Sequence, residues 1–162
     1  MLIWTLIIIG TIILDQITKL LAVEFLKPID TLPLLKDALH LTYHENKGAA
    51  FGILQDHRWV FITISTLAIV GLLVYMFKNP PKNKWLGVGL SFIIGGGIGN
   101  MIDRTLAGFV VDFIDFRLIN FAIFNVADSF VCIGASLITI YIIFFYDEKR
   151  AKELKNDSES EG

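Results

Sequence analysis

From Trp59 to Phe77 the chain runs nineteen residues without a charge. A helix of that length rises about 30 Å, the thickness of a bilayer's hydrocarbon core. Three other runs resemble it, near Leu2–Val23, Trp85–Ile102 and Phe124–Tyr146. Where no water can satisfy backbone N–H and C=O groups, a segment must bond to itself as a helix or close into a barrel. Four long runs in 162 residues, 54% hydrophobic and only 19% charged, exclude an ordinary soluble domain. The expectation is an all-α integral membrane protein of four transmembrane helices. Residues 1–150 are expected to make one membrane domain, and 151–162 a polar, disordered cytoplasmic tail.

The first run looks like a secretory signal at first sight. It has no basic leading segment and no small-residue cleavage site, and it continues into Asp15-Gln16-Ile17-Thr18-Lys19; it reads as a retained span. Its uncharged part is only 14 residues, short of the ~20 needed to cross. Asp15 and Lys19 must therefore lie within the helix. Four residues apart, they share a face on which opposite charges can pair.

Between the first two runs, Leu39–His44 is rich in strand formers, and Gly48-Ala49-Ala50-Phe51-Gly52 is small enough for close backbone approach. Val110–Ile114, between the last two, is β-branched and also predicts a strand. A small sheet beside the membrane follows. Lys78, Lys82 and Lys84 crowd one short connection, and Lys149, Arg150, Lys152 and Lys155 follow the fourth run. The excess of basic residues in these loops puts both on the cytoplasmic side, with both termini.

In that topology the polar exceptions fall at one level, the outer one: Asp15, Lys19, Asn46, Asn100, Asp103, Arg104, Asp112, Asn125 and Asp128. Ionisable groups are expensive there and mark a functional site. Asp112 and Asp128 are the candidate catalytic pair. Two close carboxyls cannot both ionise easily, so one can take a proton from water while the other gives one to a leaving group. Plainer roles are also open to them: capping a helix, or pairing with Arg104 or Lys19. Asp103 and Arg104 could form a charge pair at the interface. Gly95 and Gly99 have the spacing of close helix packing.

Other chemistries fit less well. Ser129 beside Asp128 would need Lys19 as its base. His40 and His44 on a strand would stand roughly 13 Å apart, too far to share a metal. The one cysteine, Cys132, allows no disulfide framework and reads as inert helix packing. No basic block suggests nucleic acid. Intramembrane carboxylates also serve carriers and proton relays, but those need polar groups near the midplane and internal repeats. A non-catalytic adaptor using the polar rim is a further class.

Five segments taken together resemble a known motif set: Asp15-Gln16-x-Thr18-Lys19, Asn46-x-Gly48-Ala49-Ala50-Phe51, Gly99-Asn100-x-x-Asp103-Arg104, Val111-Asp112-Phe113 and Phe124-Asn125-x-Ala127-Asp128. They look like those of bacterial lipoprotein signal peptidase, signal peptidase II. The resemblance implies a four-helix aspartic endopeptidase of the bacterial cytoplasmic membrane, needing no metal or organic cofactor. It would cut the signal peptide from a prolipoprotein, just before a diacylglyceryl-modified cysteine. It also implies Asp112 and Asp128 as the dyad. Asn46, Gly48, Asn100, Arg104 and Asn125 would serve the substrate, with Asp15, Lys19 and Asp103 in support. A monomer among membrane lipids is expected, with a mobile lid in the first outer loop.

The loop charges yield a direct expectation. A reporter fused after Tyr146 should work only in the cytoplasm; activity confined to the outside of the cell would contradict the topology.

Overall fold

The computed structural model describes residues 1–48 and 58–146. The segment 49–52, His57, the lid expected in that loop and the tail 151–162 lie outside the described residues. In chain order come α1 (Leu2–Leu21), β1 (Thr31–Leu35), β2 (Leu39–Asn46), α2 (Arg58–Lys78), α3 (Lys84–Leu106), β3 (Val110–Phe116) and α4 (Val126–Tyr141). α1 and α4 each continue into a π-helical turn, Ala22–Leu26 and Ile142–Tyr146, and β3 into a 3-10 turn, Arg117–Ile119.

Among the described residues, three helices are long and apolar enough to cross a membrane: Leu2–Leu26, Lys84–Leu106 and Val126–Phe145. The apolar stretch described within α2, Ile62–Lys78, is shorter. The outward face of α1 exposes Leu2, Leu6, Ile9, Ile13 and Leu20. Water would penalise such a surface, and lipid does not.

α3 is the axis of the bundle, with α1, α2 and α4 all packed on it. Glycine is what lets its neighbours approach. A Cβ on Gly96 would meet the Ala127 carbonyl oxygen at 2.5 Å, and one on Gly95 would meet Thr11 Cβ at 2.7 Å. On Gly99 it would run into the Asp15 carboxylate. The helices meet at one apolar cluster, in which Ile69, Met76, Leu90 and Ile94 are buried with Trp4, Ile8 and Ile138 against them.

The three strands form one antiparallel sheet in the order β1-β2-β3. The sheet therefore draws on both loops at this end of the bundle. Ala22, Leu26, Val111 and Phe113 form a second core that fixes it to the end of α1. The ladder between β2 and β3 is irregular: Leu41 pairs with Ile114 and His44 with Asp112, so Thr42 and Tyr43 oppose Phe113 alone. That is a β-bulge, a device that re-aims side chains. Past it, Phe113 and Ile114 N–H groups both donate to the Phe124 carbonyl, at 3.0 and 2.8 Å, which holds the approach to α4 against β3.

Gly96→Ala should destabilise the bundle by about 1–3 kcal/mol, because the colliding atom is backbone and cannot turn away. Gly10→Ala should be neutral to slightly stabilising, since an added Cβ there meets nothing within 4 Å and alanine is the better helix former. Thermal unfolding in detergent measures both; equal midpoints would contradict the packing described.

Candidate active site

Asp15, Lys19, Asn46, Asn100, Asp103, Arg104, Asp112, Asn125 and Asp128 converge where α1, α3, α4, β2 and β3 meet. Lys19 is 3% exposed and Asp15 wholly buried. The Lys19 ammonium reaches three oxygens: Asp15 Oδ2 at 2.8 Å, Asp103 Oδ2 at 2.9 Å and Asn100 Oδ1 at 2.8 Å. The i,i+4 pair expected within α1 is present, but Asp103 also belongs to it. Asp103 turns to Lys19 because neighbouring residues on a helix point about 100° apart, so Asp103 and Arg104 face different partners. Arg104 Nη2 instead donates to the Gly48 carbonyl at 3.0 Å.

Asp15 has a further bond that no sequence pattern signalled. Its Oδ1 accepts from the Ala127 backbone N–H at 3.0 Å. That group lies in the first turn of α4, where N–H groups lack helical partners, so a carboxylate of α1 completes the end of another helix. Gln16 joins the cluster as well, donating to Asp103 Oδ1 at 3.0 Å, Asp15 Oδ2 at 3.2 Å and the Gly99 carbonyl at 3.3 Å. Its signal was available: a glutamine in an otherwise apolar run.

Above this charge cluster stand Asp112 and Asp128, each oxygen of each carboxyl accepting a hydrogen bond. Asp112 Oδ1 accepts from Asn125 Nδ2 at 2.6 Å and Oδ2 from Asn46 Nδ2 at 2.9 Å. Asp128 Oδ1 accepts from Asn100 Nδ2 at 2.8 Å and Oδ2 from the Asn125 backbone N–H at 3.2 Å. The Asp128 N–H returns a bond to Asn125 Oδ1 at 3.0 Å, completing a capping box on α4. Asp128 does cap its helix, as the plainer reading had it, and the same bonds orient its carboxyl. Burial pushes the Asp112 carboxyl up to about 7; its asparagine bonds pull the other way, and the Asp128 charge adds to the rise.

Both carboxyls face one cavity of about 400 Å³, shared with Asn46, Asn100, Arg104 and Ser129. The rest of its lining is largely apolar and includes Val110, Phe121, Phe124 and Val131. Asn125 is fully buried behind the pair, and Gly48 donates its N–H to Asn46 Oδ1 at 2.9 Å. One expectation is corrected here. Cys132 is not inert packing: it is exposed and lines the cavity, because it lies one turn beyond Asp128 on α4. Ser129 has no lysine beside it as a base: its hydroxyl donates to the Asn125 carbonyl at 3.0 Å, and Lys19 is held by Asp15, Asp103 and Asn100.

A family model described as signal peptidase (SPase) II matches residues 7–144. The lipoprotein signal peptidase of Brevibacillus brevis is 44% identical over 148 residues, 91% of this chain and 98% of that protein. That of Clostridioides difficile is 45% identical over 148 residues, 91% of this chain and 99% of that protein. A bacterial membrane enzyme solved by the in meso method at 2.3 Å superposes with a TM-score of 0.80. It is 37% identical, over 86% of this chain and 87% of that one. Another, at 1.9 Å, gives 0.78 with 36% identity, over 88% and 93%.

Lys19→Ala should cost about 3–5 kcal/mol, the usual penalty for leaving one side of a buried ion pair unmatched. Activity should decline in step with the folded fraction. A variant as stable as the parent yet inactive would mean that Lys19 takes part in the chemistry.

Proposed function

The chain belongs to the signal peptidase II family, and we propose that it cleaves diacylglyceryl-modified prolipoproteins through a dyad of Asp112 and Asp128. It is a peptidase, and its family is one of bacterial membrane enzymes. The observation that carries the proposal is the pair itself: two carboxyls on one cavity, held by asparagine amides and a backbone N–H. In this reading the ionised member takes a proton from water as the oxygen attacks the scissile carbonyl carbon. The protonated member donates to the leaving nitrogen, and the C–N bond breaks. Asn46 and Arg104 contact the substrate backbone from the polar wall. The signal peptide departs, leaving the lipidated cysteine as the new N-terminus.

The mixed polar and apolar lining supports this substrate. A lipid-bearing cysteine can keep its acyl chains against Phe121, Phe124 and Val131 while its peptide bond reaches the carboxyls. α2 is the fourth span in this reading, supported by the uncharged run from Trp59 to Phe77. The site faces outward, both termini are cytoplasmic, the enzyme works as a monomer within the lipid, and residues 1–150 act as one domain.

Asp112→Asn and Asp128→Asn are nearly isosteric and should fold. Each should lower cleavage of a lipidated prolipoprotein by about 100- to 10,000-fold, and the double variant should be little worse than either. The parent's activity should fall as pH rises through about 7, where Asp112 loses its proton. Robust cleavage by either folded single variant would remove the dyad from the mechanism.

A further inference from the structure

The bulge in β2 has a consequence for a residue outside the motif set. In a regular ladder, directly opposite residues project to the same face, with Cβ atoms roughly 4.5–5.5 Å apart. His44 is the partner of Asp112, and Asn46, two residues on, is the partner of Val110. Asn46, Val110 and Asp112 all line the cavity, so His44 belongs to the same face. Without the extra residue at Thr42–Tyr43, the register would put a neighbour there instead and turn His44 away. His44 is exposed, whereas Asp112 is 1% exposed. The imidazole thus stands at the open edge of the face on which the buried carboxyl lies.

We propose that His44 is a positioning residue for the dyad, one whose imidazolium charge, across the ladder from Asp112, disfavours a second proton on the pair and extends cleavage to lower pH. Histidine is the side chain suited to this, because its charge changes in the range where such enzymes work. The other charges around this step of β2 are mostly committed. β1 carries none. Lys27, at the end of the π-helical turn after α1, pairs with Glu45 at 3.2 Å, and Glu45 also accepts from the Tyr43 hydroxyl at 2.8 Å. Glu24 lies earlier in that turn. Arg117 pairs at 2.8 Å with Asp115, which alternation puts on the opposite face of β3. Lys47 follows Asn46, and Arg104 approaches the cavity from α3.

The sign is fixed by the proton count. On the acid side the dyad fails when it takes a second proton, and a nearby cation makes that proton harder to bind. His44→Gln should therefore raise the acid limb of the kcat/KM profile by about half a pH unit, the size for unit charges roughly 6 Å apart in a mostly aqueous dielectric. His44→Lys, permanently charged, should keep the acid limb at or below the parent's and move the alkaline limb down. The probe is cleavage of a diacylglyceryl-modified prolipoprotein by the full chain, with each variant's fold checked by thermal unfolding. Unmoved limbs, or Gln and Lys shifting the acid limb alike, would overturn the role of charge at His44. The inference rests on Asp112 belonging to the dyad, so Asp112→Asn is measured beside the series. Cleavage by that variant would overturn the dyad reading, whereas its inactivity with unmoved His44 limbs would overturn this inference alone.

Discussion

One buried ammonium holds the polar end of this bundle together. Lys19 bonds at once to Asp15 of its own helix and to Asp103 and Asn100 of α3. Asp15 in turn holds the first turn of α4 through Ala127. Three helices are thus tied by one cation and two carboxylates in a place where an unmatched charge would be intolerable. Gly99 lets the α1 carboxylate come so close, since any side chain there would occupy its position. The cluster also gives Asn100 its direction: an ammonium on Oδ1 leaves the Nδ2 hydrogens to point at Asp128.

The groups that touch the dyad carboxyls differ in kind from those beneath them. Below, a lysine neutralises aspartates. Above, asparagine side chains and a backbone N–H meet all four carboxyl oxygens. A bidentate cation at Asp112 would favour its ionised form strongly, whereas amides orient the carboxyl and leave burial to raise its proton affinity. That division of labour suits the proposed dyad, in which a proton is taken up and given back.

Much of this was legible in the sequence, because lipid imposes strict rules on what it contains. The apolar runs, the Asp15–Lys19 spacing and the β-branched segment at Val110 each mapped onto an observed element. What escaped were features set by three-dimensional register. Asp103 choosing Lys19 over Arg104 depends on how α1 and α3 are rotated, which no single helix pattern reports. Asn125 sits behind the dyad, and Cys132 lines the cavity, because of where α4 begins. The bulge opposite Phe113 is one added residue, invisible to alternation counted along a short and loosely patterned strand. The Asp15–Ala127 bond uses backbone, and backbone carries no sequence signal.

In the proposed dyad the Asp128 charge raises the proton affinity of Asp112. Carbon-13 labelling of aspartate carboxyls, with an NMR titration of the folded enzyme in detergent, addresses it without any substrate. Asp112 should titrate near 7, and Asp128→Asn should lower that value, because a neighbouring negative charge has been removed. An Asp112 signal in the ordinary carboxylate range, indifferent to Asp128→Asn, would contradict it.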